Sequence, residues 1–178
     1  MQPALTHLIK EFHRAFGGKR LIFTGPSGGG FAAMFYSWHF PGSICFPTNP
    51  QTNITRYERA AVDFYAEKCF FTFADQIGDI EITSDIGSLY GECVPNYIVY
   101  FQNRSDDHLD IHWKPFIEGL PPSSVARVRT IIGSWGDGHK APPAELMTRL
   151  LASAVSWSGG WGDFLAEADL GYLGEDVC

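Results

Sequence analysis

Apolar residues along the chain follow two alternating spacings. Short, mostly apolar runs bounded by glycine, proline or asparagine are typical of buried strands, whereas apolar residues that recur every three or four positions are typical of helices. The predicted strands cover residues 21–24, 43–46, 96–102 and 125–133, and the predicted helices cover 5–16, 30–39, 56–68 and 142–155. A further helix is a candidate within 78–91, and 113–119 fits a helix or a loop. This alternation predicts an α/β fold, in which a parallel sheet of about four strands is flanked by helices.

The two ends of the chain carry different signals. Apolar residues of the opening segment share one helical face, which predicts an amphipathic helix that packs on the sheet; they are Leu5, Leu8, Ile9, Phe12 and Phe16. Residues 156–162 are rich in glycine, serine and tryptophan, and residues 163–178 are acidic. We expect this C-terminal part to be loosely ordered.

Composition narrows the class of protein. With 178 residues, 45% of them apolar and 19% charged, the chain suits a single globular domain over residues 1–178. The formal net charge of -7 and the lack of a Lys/Arg cluster argue against nucleic acid and anionic membranes as partners, because both favour basic patches. The apolar-rich stretch 31–40 is shorter than the roughly 20 residues that span a bilayer. We therefore expect a soluble, cytoplasmic protein.

Cysteine usage agrees with that compartment. The four cysteines, Cys45, Cys69, Cys93 and Cys178, are widely spaced and contain no C-x-x-C pair. This spacing suits neither a zinc ribbon nor a dense disulfide framework, so we expect reduced, mostly buried thiols. Residues 1–13 also lack the basic start and apolar core of a secretory signal.

A G-x-S-x-G motif, Gly25-Pro26-Ser27-Gly28-Gly29, lies between the first predicted strand and the helix that follows it. In that context small residues let the backbone turn sharply while the serine hydroxyl stays exposed. The alternatives are a serine with only a turn role and a glycine-rich turn that binds phosphate at a helix N-terminus. Neither G-x-x-x-x-G-K-[ST] nor G-x-G-x-x-G is present. Ser27 is therefore the candidate nucleophile.

A serine nucleophile needs a base and an acid that orients the base. Asp106 and its rival Asp107 follow the third predicted strand, and His139 follows the fourth. Carboxyl ends of parallel strands meet at one edge of a sheet, which is where sites form. Asp106 is preferred as the acid because it lies closer to the strand end. Asp137 is interpreted as a turn residue, because near neighbours on a loop rarely face each other.

With these residues the chain resembles the α/β-hydrolase superfamily over roughly residues 21–151. Residues 25–30 look like the nucleophile elbow, and Gly138-His139 followed by Pro142 and Pro143 looks like the loop that carries the histidine. The resemblance implies a partial α/β-hydrolase fold with a lid-like insertion at residues 53–96.

The resemblance also implies a function. It implies a serine hydrolase that cleaves an ester or related acyl bond of a small molecule through an acyl-enzyme, without a cofactor or metal. Ser27 would be the nucleophile, Asp106 the acid, His139 the base and the Gly28 N–H an oxyanion donor. Esterase, thioesterase, peptidase and acyltransferase chemistry all stay open.

The chain also departs from the family. Such a domain has about four strands before the elbow, but only twenty residues precede Leu21. The expected consequences are an exposed sheet edge, covered by a second copy or another chain, and a missing second oxyanion donor that weakens activity. The alternative function is a non-catalytic, truncated hydrolase-like module that associates with a partner chain or with itself.

Several further residues have two interpretations. Apolar members of the 53–96 segment line an acyl pocket or pack in the core; they are Phe70, Phe71, Phe73 and Tyr90. His108 and His112 have the spacing of two metal ligands on a helix, but without the glutamate of H-E-x-x-H the signal is weak, and we favour packing. Asn49 and Gln51 either reach the substrate or only stabilise a proline turn, and we favour the turn.

Overall fold

The computed structural model describes residues 2–167. Its helices and strands, in chain order, are α1 (Gln2–Ala15), β1 (Ile22–Pro26), α2 (Ser27–Trp38), β2 (Ile44–Thr48), α3 (Arg59–Phe70), α4 (Ile86–Tyr90), β3 (Tyr97–Asn103), α5 (Lys114–Glu118), β4 (Val128–Gly133), α6 (Ala144–Ser156) and α7 (Trp161–Glu167). Short 3-10 helices lie at Ile54–Arg56, Ala74–Asp79 and Pro122–Arg127, and a π-helical turn spans Leu109–Trp113.

The four strands form one parallel sheet in the order β1-β2-β3-β4. The fold class predicted from the sequence, α/β with a parallel sheet of about four strands flanked by helices, is confirmed, and it is consistent with a partial α/β-hydrolase-like fold. Pro26 at the end of β1 pairs with Thr48 at the end of β2, and Asn103 pairs with Gly133 at the ends of β3 and β4. The segments that follow the four strands therefore emerge together along one edge of the sheet, the edge formed by the carboxyl ends of the strands.

Each face of the sheet carries its own hydrophobic core, because successive side chains of a strand point to opposite faces. On one face, Cys45, Ile98 and Tyr100 pack with apolar residues of α2, α4 and α5. On the other face, Ile44, Phe46, Val99 and Phe101 pack with apolar residues of α6 and α7. Helices thus cover both faces of the sheet.

Helix α1 does not pack on the sheet, so the prediction for the opening helix is wrong. Leu5, Leu8, Phe12 and Phe16 are exposed, and Thr6 is the one buried residue of α1. The helix instead touches the end of α2 through the rings of His13 and Phe40. The physical reason is that other helices already cover both faces of the sheet: α2, α4 and α5 cover one face, and α6 and α7 cover the other.

The prediction of a loosely ordered C-terminal part is wrong as far as Glu167, and residues 168–178 lie outside the described residues. Helix α7 buries Trp161, Phe164 and Leu165 against the sheet, with Phe164 in ring contact with Phe46. Three large apolar side chains in five residues outweigh the glycines that precede them, since each buried side chain of this kind stabilises by about 1.5–3 kcal/mol.

Two further expectations meet mixed outcomes. Cys45 is buried, but Cys69 and Cys93 are exposed free thiols, and Cys178 lies outside the described residues. Residues 53–96 form α3, α4 and two 3-10 turns beside α2, and their role as a lid stays a prediction. Within residues 2–167, none of the helices has the length and the hydrophobicity needed to cross a membrane.

Candidate active site

Ser27 lies at the sharp turn between β1 and α2. Its φ is 49°, in the left-handed region that non-glycine residues rarely adopt. The turn is close-packed on both sides: a Cβ on Gly25 would lie 2.4 Å from the Gly29 carbonyl oxygen, and one on Gly30 would lie 2.6 Å from the Cβ of Pro50. Glycine is therefore required at positions 25 and 30, and a strained backbone presents Ser27 at the edge of the sheet.

Asp106 and His139 are joined by a short hydrogen bond. The Nδ1–H of His139 donates to Asp106 Oδ2 at 2.6 Å, which leaves Nε2 as the ring nitrogen that this contact does not use. The Asp106 side chain is fully buried, whereas that of His139 is 44% exposed. A buried carboxylate that holds a partly exposed imidazole is the acid and base half of a proton-relay group.

The rival acid does not take part in this contact. Asp107 is exposed, and its backbone carbonyl accepts hydrogen bonds from the N–H groups of Asp110 and Ile111. Asp106 Oδ1 accepts from the backbone N–H of His108 at 3.0 Å, so both oxygens of its carboxylate are engaged. Of the two aspartates, the structure thus brings Asp106 to His139.

Asn103, at the end of β3, holds the loop that carries His139. Its Nδ2 donates to the carbonyl oxygens of Gly136 and Gly138 at 2.8 and 2.6 Å, and its Oδ1 accepts from Trp135 N–H at 2.9 Å. Ser105 adds a hydrogen bond from its hydroxyl to the Gly136 carbonyl at 2.7 Å. Sequence reasoning missed both residues; the available signal was a run of polar residues directly after a strongly apolar strand.

The two neighbouring histidines have fixed tautomers. His108 Nδ1–H donates to the Asn49 carbonyl oxygen at 3.0 Å, and the His108 ring centre lies 4.6 Å from that of His139. His112 Nδ1 accepts from Thr52 N–H at 3.2 Å, so its Nε2 carries the hydrogen. Burial, helped by His108, lowers the pKa of His112 to about 4, which keeps its ring neutral.

Ligand atoms of Asp106, His108 and His139 lie within 4.8 Å of one another, close enough to hold a metal ion together. This group is not the pair of His108 and His112, whose spacing gave the weak metal signal in the sequence, because His112 is not a member of it. A metal on His139 Nδ1 would replace the hydrogen bond to Asp106, because a ligating nitrogen cannot carry a hydrogen, whereas a metal on Nε2 would leave that hydrogen bond in place.

Ser27 and the histidine lie at the same edge of the sheet, but no hydrogen bond joins the Ser27 hydroxyl to His139 within residues 2–167. The contacts between them run through the loop after β2. Gln51 N–H donates to the Ser27 carbonyl oxygen at 3.2 Å, and the Asn49 carbonyl holds His108 against His139.

An apolar cavity of about 400 Å³ opens beside the elbow. Its wall includes Gly28, Phe31, Gln51, Tyr57, Val62, Tyr65 and Phe70. Of the four aromatic residues that the sequence offered for an acyl pocket, Phe70 lines this cavity. Tyr90 packs in the core, as the other interpretation had it, whereas Phe71 and Phe73 are exposed and fit neither interpretation.

The fold has a counterpart among solved structures. The chain is similar to the capsule O-acetyltransferase of Neisseria meningitidis serogroup A, solved in complex with caged gadolinium, with a TM-score of 0.52 and 16% sequence identity. The match covers 84% of this chain and 62% of that chain. At this identity the likeness shows the fold alone. A scan against models of protein families found no match, and neither did a search among curated proteins.

Proposed function

We propose that the protein is a serine hydrolase of the α/β-hydrolase type that cleaves an ester or related acyl bond. The observation that carries this proposal is the 2.6 Å hydrogen bond between His139 and the buried Asp106. This pair lies at the sheet edge where Ser27 follows β1 with a left-handed backbone. The fold is similar to that of a capsule O-acetyltransferase, and acyl transfer by that enzyme is in keeping with such chemistry.

In the proposed mechanism, His139 Nε2 removes the proton from the Ser27 hydroxyl as the serine oxygen attacks the acyl carbon. The electron pair of the carbonyl moves to its oxygen, which the Gly28 N–H stabilises. Asp106 keeps the ring in the tautomer with hydrogen on Nδ1 and stabilises the imidazolium that forms. The imidazolium then protonates the leaving group, and water, activated by the same ring, releases the acyl group.

The cavity favours substrates with an apolar acyl group. Its aromatic and aliphatic wall begins at Gly28, the residue after the candidate nucleophile. An acyl carbonyl bound at Ser27 would therefore direct its chain into apolar surroundings, and each buried methylene would contribute about 0.8 kcal/mol.

The direct test is a fluorophosphonate probe, which phosphonylates activated serines, followed by peptide mass spectrometry. We expect the label on Ser27, no label in Ser27→Ala and strongly reduced labelling in His139→Ala. Ser123→Ala and His7→Ala, which change exposed residues elsewhere, are the matched controls. A folded protein that stays unlabelled would refute the proposal.

A second candidate function, self-association, is favoured by one feature of the surface. Strand β1 is an edge strand of the sheet, and the exposed residues Leu8 and Phe12 of α1, with Phe16 just after the helix, line a depression together with Leu21. Proteins normally cover such edges and patches. Size-exclusion chromatography with light scattering tests this: a dimer that Phe12→Glu dissociates supports it, and a monomer at high concentration contradicts it.

A further inference from the structure

The mechanism proposed above gives the oxyanion a single hydrogen-bond donor from the backbone. Gly28 N–H follows the nucleophile directly, but acyl-transfer sites usually present two donors. In the resemblance that the sequence suggests, the second donor comes from a loop after an earlier strand. Within residues 2–167, β1 is the first strand, so the described chain offers no such loop.

The loop after β2 lies against the elbow in a position to replace it. Gln51 N–H donates to the Ser27 carbonyl oxygen at 3.2 Å, and Pro50 packs closely on Gly30. These contacts fix the backbone of Gln51 beside the nucleophile. Its side chain then runs along Gly28: Gln51 Oε1 lies 3.6 Å from the point that a Cβ on Gly28 would occupy.

The amide of Gln51 is free to serve a ligand. Within the described chain it has no hydrogen-bond partner, although it is half-buried on the wall of an apolar cavity. The other glutamine on that wall, Gln2, is fully engaged, because its amide donates to the Thr83 carbonyl and accepts from the Thr83 N–H, both at 2.9 Å. The amide is not one of the fully buried polar groups that lack a partner, so solvent can reach it, and a ligand bound in the cavity would take the place of that solvent.

We propose that Gln51 is a catalytic residue whose Nε2–H is the second donor to the oxyanion, an inference that rests on the proposed serine hydrolase function. Rotation of the terminal amide by half a turn, a torsion with two broad and nearly equivalent positions, exchanges Oε1 and Nε2 beside Gly28. The negative charge that develops on the carbonyl oxygen selects the N–H orientation. The loop after β2 thereby supplies what an earlier strand supplies in the resemblance.

The test compares Gln51→Leu and Gln51→Glu with the unchanged protein on a p-nitrophenyl ester. Leucine keeps much of the volume but has no donor, and glutamate places a second negative charge beside the oxyanion. We expect kcat to fall by about 100 to 1000-fold in Gln51→Leu, as for the loss of one such donor, and further in Gln51→Glu. KM should change little, because the contact forms only in the transition state.

Binding of a trifluoromethyl ketone, which forms a tetrahedral adduct with a serine, should weaken by a similar factor, and the thermal midpoint should stay the same. Gln76→Leu, on an exposed 3-10 turn, is the matched control and should match the unchanged protein. Retained kcat in Gln51→Leu, or a loss confined to KM, would overturn the role of Gln51.

The results that would overturn the role of Gln51 differ from those that would refute the proposed hydrolase function. If Ser27 reacts with the fluorophosphonate probe and Gln51→Leu hydrolyses the ester normally, the hydrolase stands and the donor is elsewhere. If Ser27 does not react in the unchanged protein, the hydrolase itself is refuted.

Discussion

Removing the side chain of Ser27 should separate the backbone strain at the elbow from the chemistry of the hydroxyl. A φ of 49° at position 27 has a steric cost for serine and for alanine, because both have a Cβ, whereas glycine adopts it freely. Ser27→Ala and Ser27→Gly both lack the hydroxyl, which makes no hydrogen bond within residues 2–167. The difference in stability between these two variants therefore reports the strain.

The magnitude follows from two opposing terms. The left-handed conformation costs a residue with a Cβ about 1–2 kcal/mol, and glycine loses about 0.5–1 kcal/mol more backbone entropy on folding than alanine does. The balance favours Ser27→Gly by about 1 kcal/mol, which for a chain of 178 residues raises the thermal midpoint by about 2–4 °C.

The assay is unfolding by urea and by heat, followed by fluorescence and calorimetry on both variants. Ser123 provides the control, because it is exposed and its φ is not positive, so that Ser123→Gly should be less stable than Ser123→Ala. The reasoning is refuted if Ser27→Gly is no more stable than Ser27→Ala, because the turn would then be unstrained.

Three further predictions concern the surroundings of the site. Asn103→Ala removes the donors to two carbonyl oxygens of the loop that carries His139, so we expect a loss of about 2–4 kcal/mol in urea unfolding and a lower kcat; an unchanged midpoint would contradict this. Gly30→Ala forces a Cβ to within 2.6 Å of its proline neighbour and should destabilise by about 1–3 kcal/mol, whereas Gly78→Ala, with open space around it, should not. The pKa of His112 is lowered to about 4 in the folded protein, so the unfolded chain takes up a proton at this ring first as the pH falls. The free energy of unfolding should therefore be independent of His112 above about pH 6.5 and should decline by at most about 3 kcal/mol towards pH 4. His112→Gln should remove that decline, and an identical pH profile in the variant would show that other groups cause it.

The sheet was accessible from sequence because its signals are local. Each of the four strands is a short apolar run closed by turn residues, and each lies close to its predicted place. The parallel pairing of the strands followed from the alternation of strands and helices along the chain. The beginning of β4 was placed three residues early, because residues 122–127 form a 3-10 turn in which Val125 continues the apolar run.

What the sequence could not provide depends on packing between distant segments. The sequence predicted that α1 packs on the sheet and that residues 156–178 are loosely ordered, yet the apolar residues of α7 are buried against the sheet and those of α1 are exposed. A helical pattern reports that a face is apolar and not what covers it.

In the candidate site, too, some features could be predicted from the sequence and others depended on packing. Ser27, Asp106 and His139 were recognisable by residue type and by position after strands. Asp106 was preferred over Asp107 because it lies closer to the strand end, and its hydrogen bond to His139 agrees with that preference. The contacts of Asn103 with a loop 30 or more residues away, and of Gln51 with the elbow, were not visible in the sequence. Spacing along the chain contains no such information.

A crystal structure of the protein after reaction with a fluorophosphonate tests the central claim most directly. The account predicts phosphonate density bonded to Ser27 Oγ, with His139 Nε2 within about 2.6–3.2 Å of that oxygen or of the phosphonate. An unmodified serine in a folded protein, or an imidazole turned away from it, would contradict the proposed acyl chemistry.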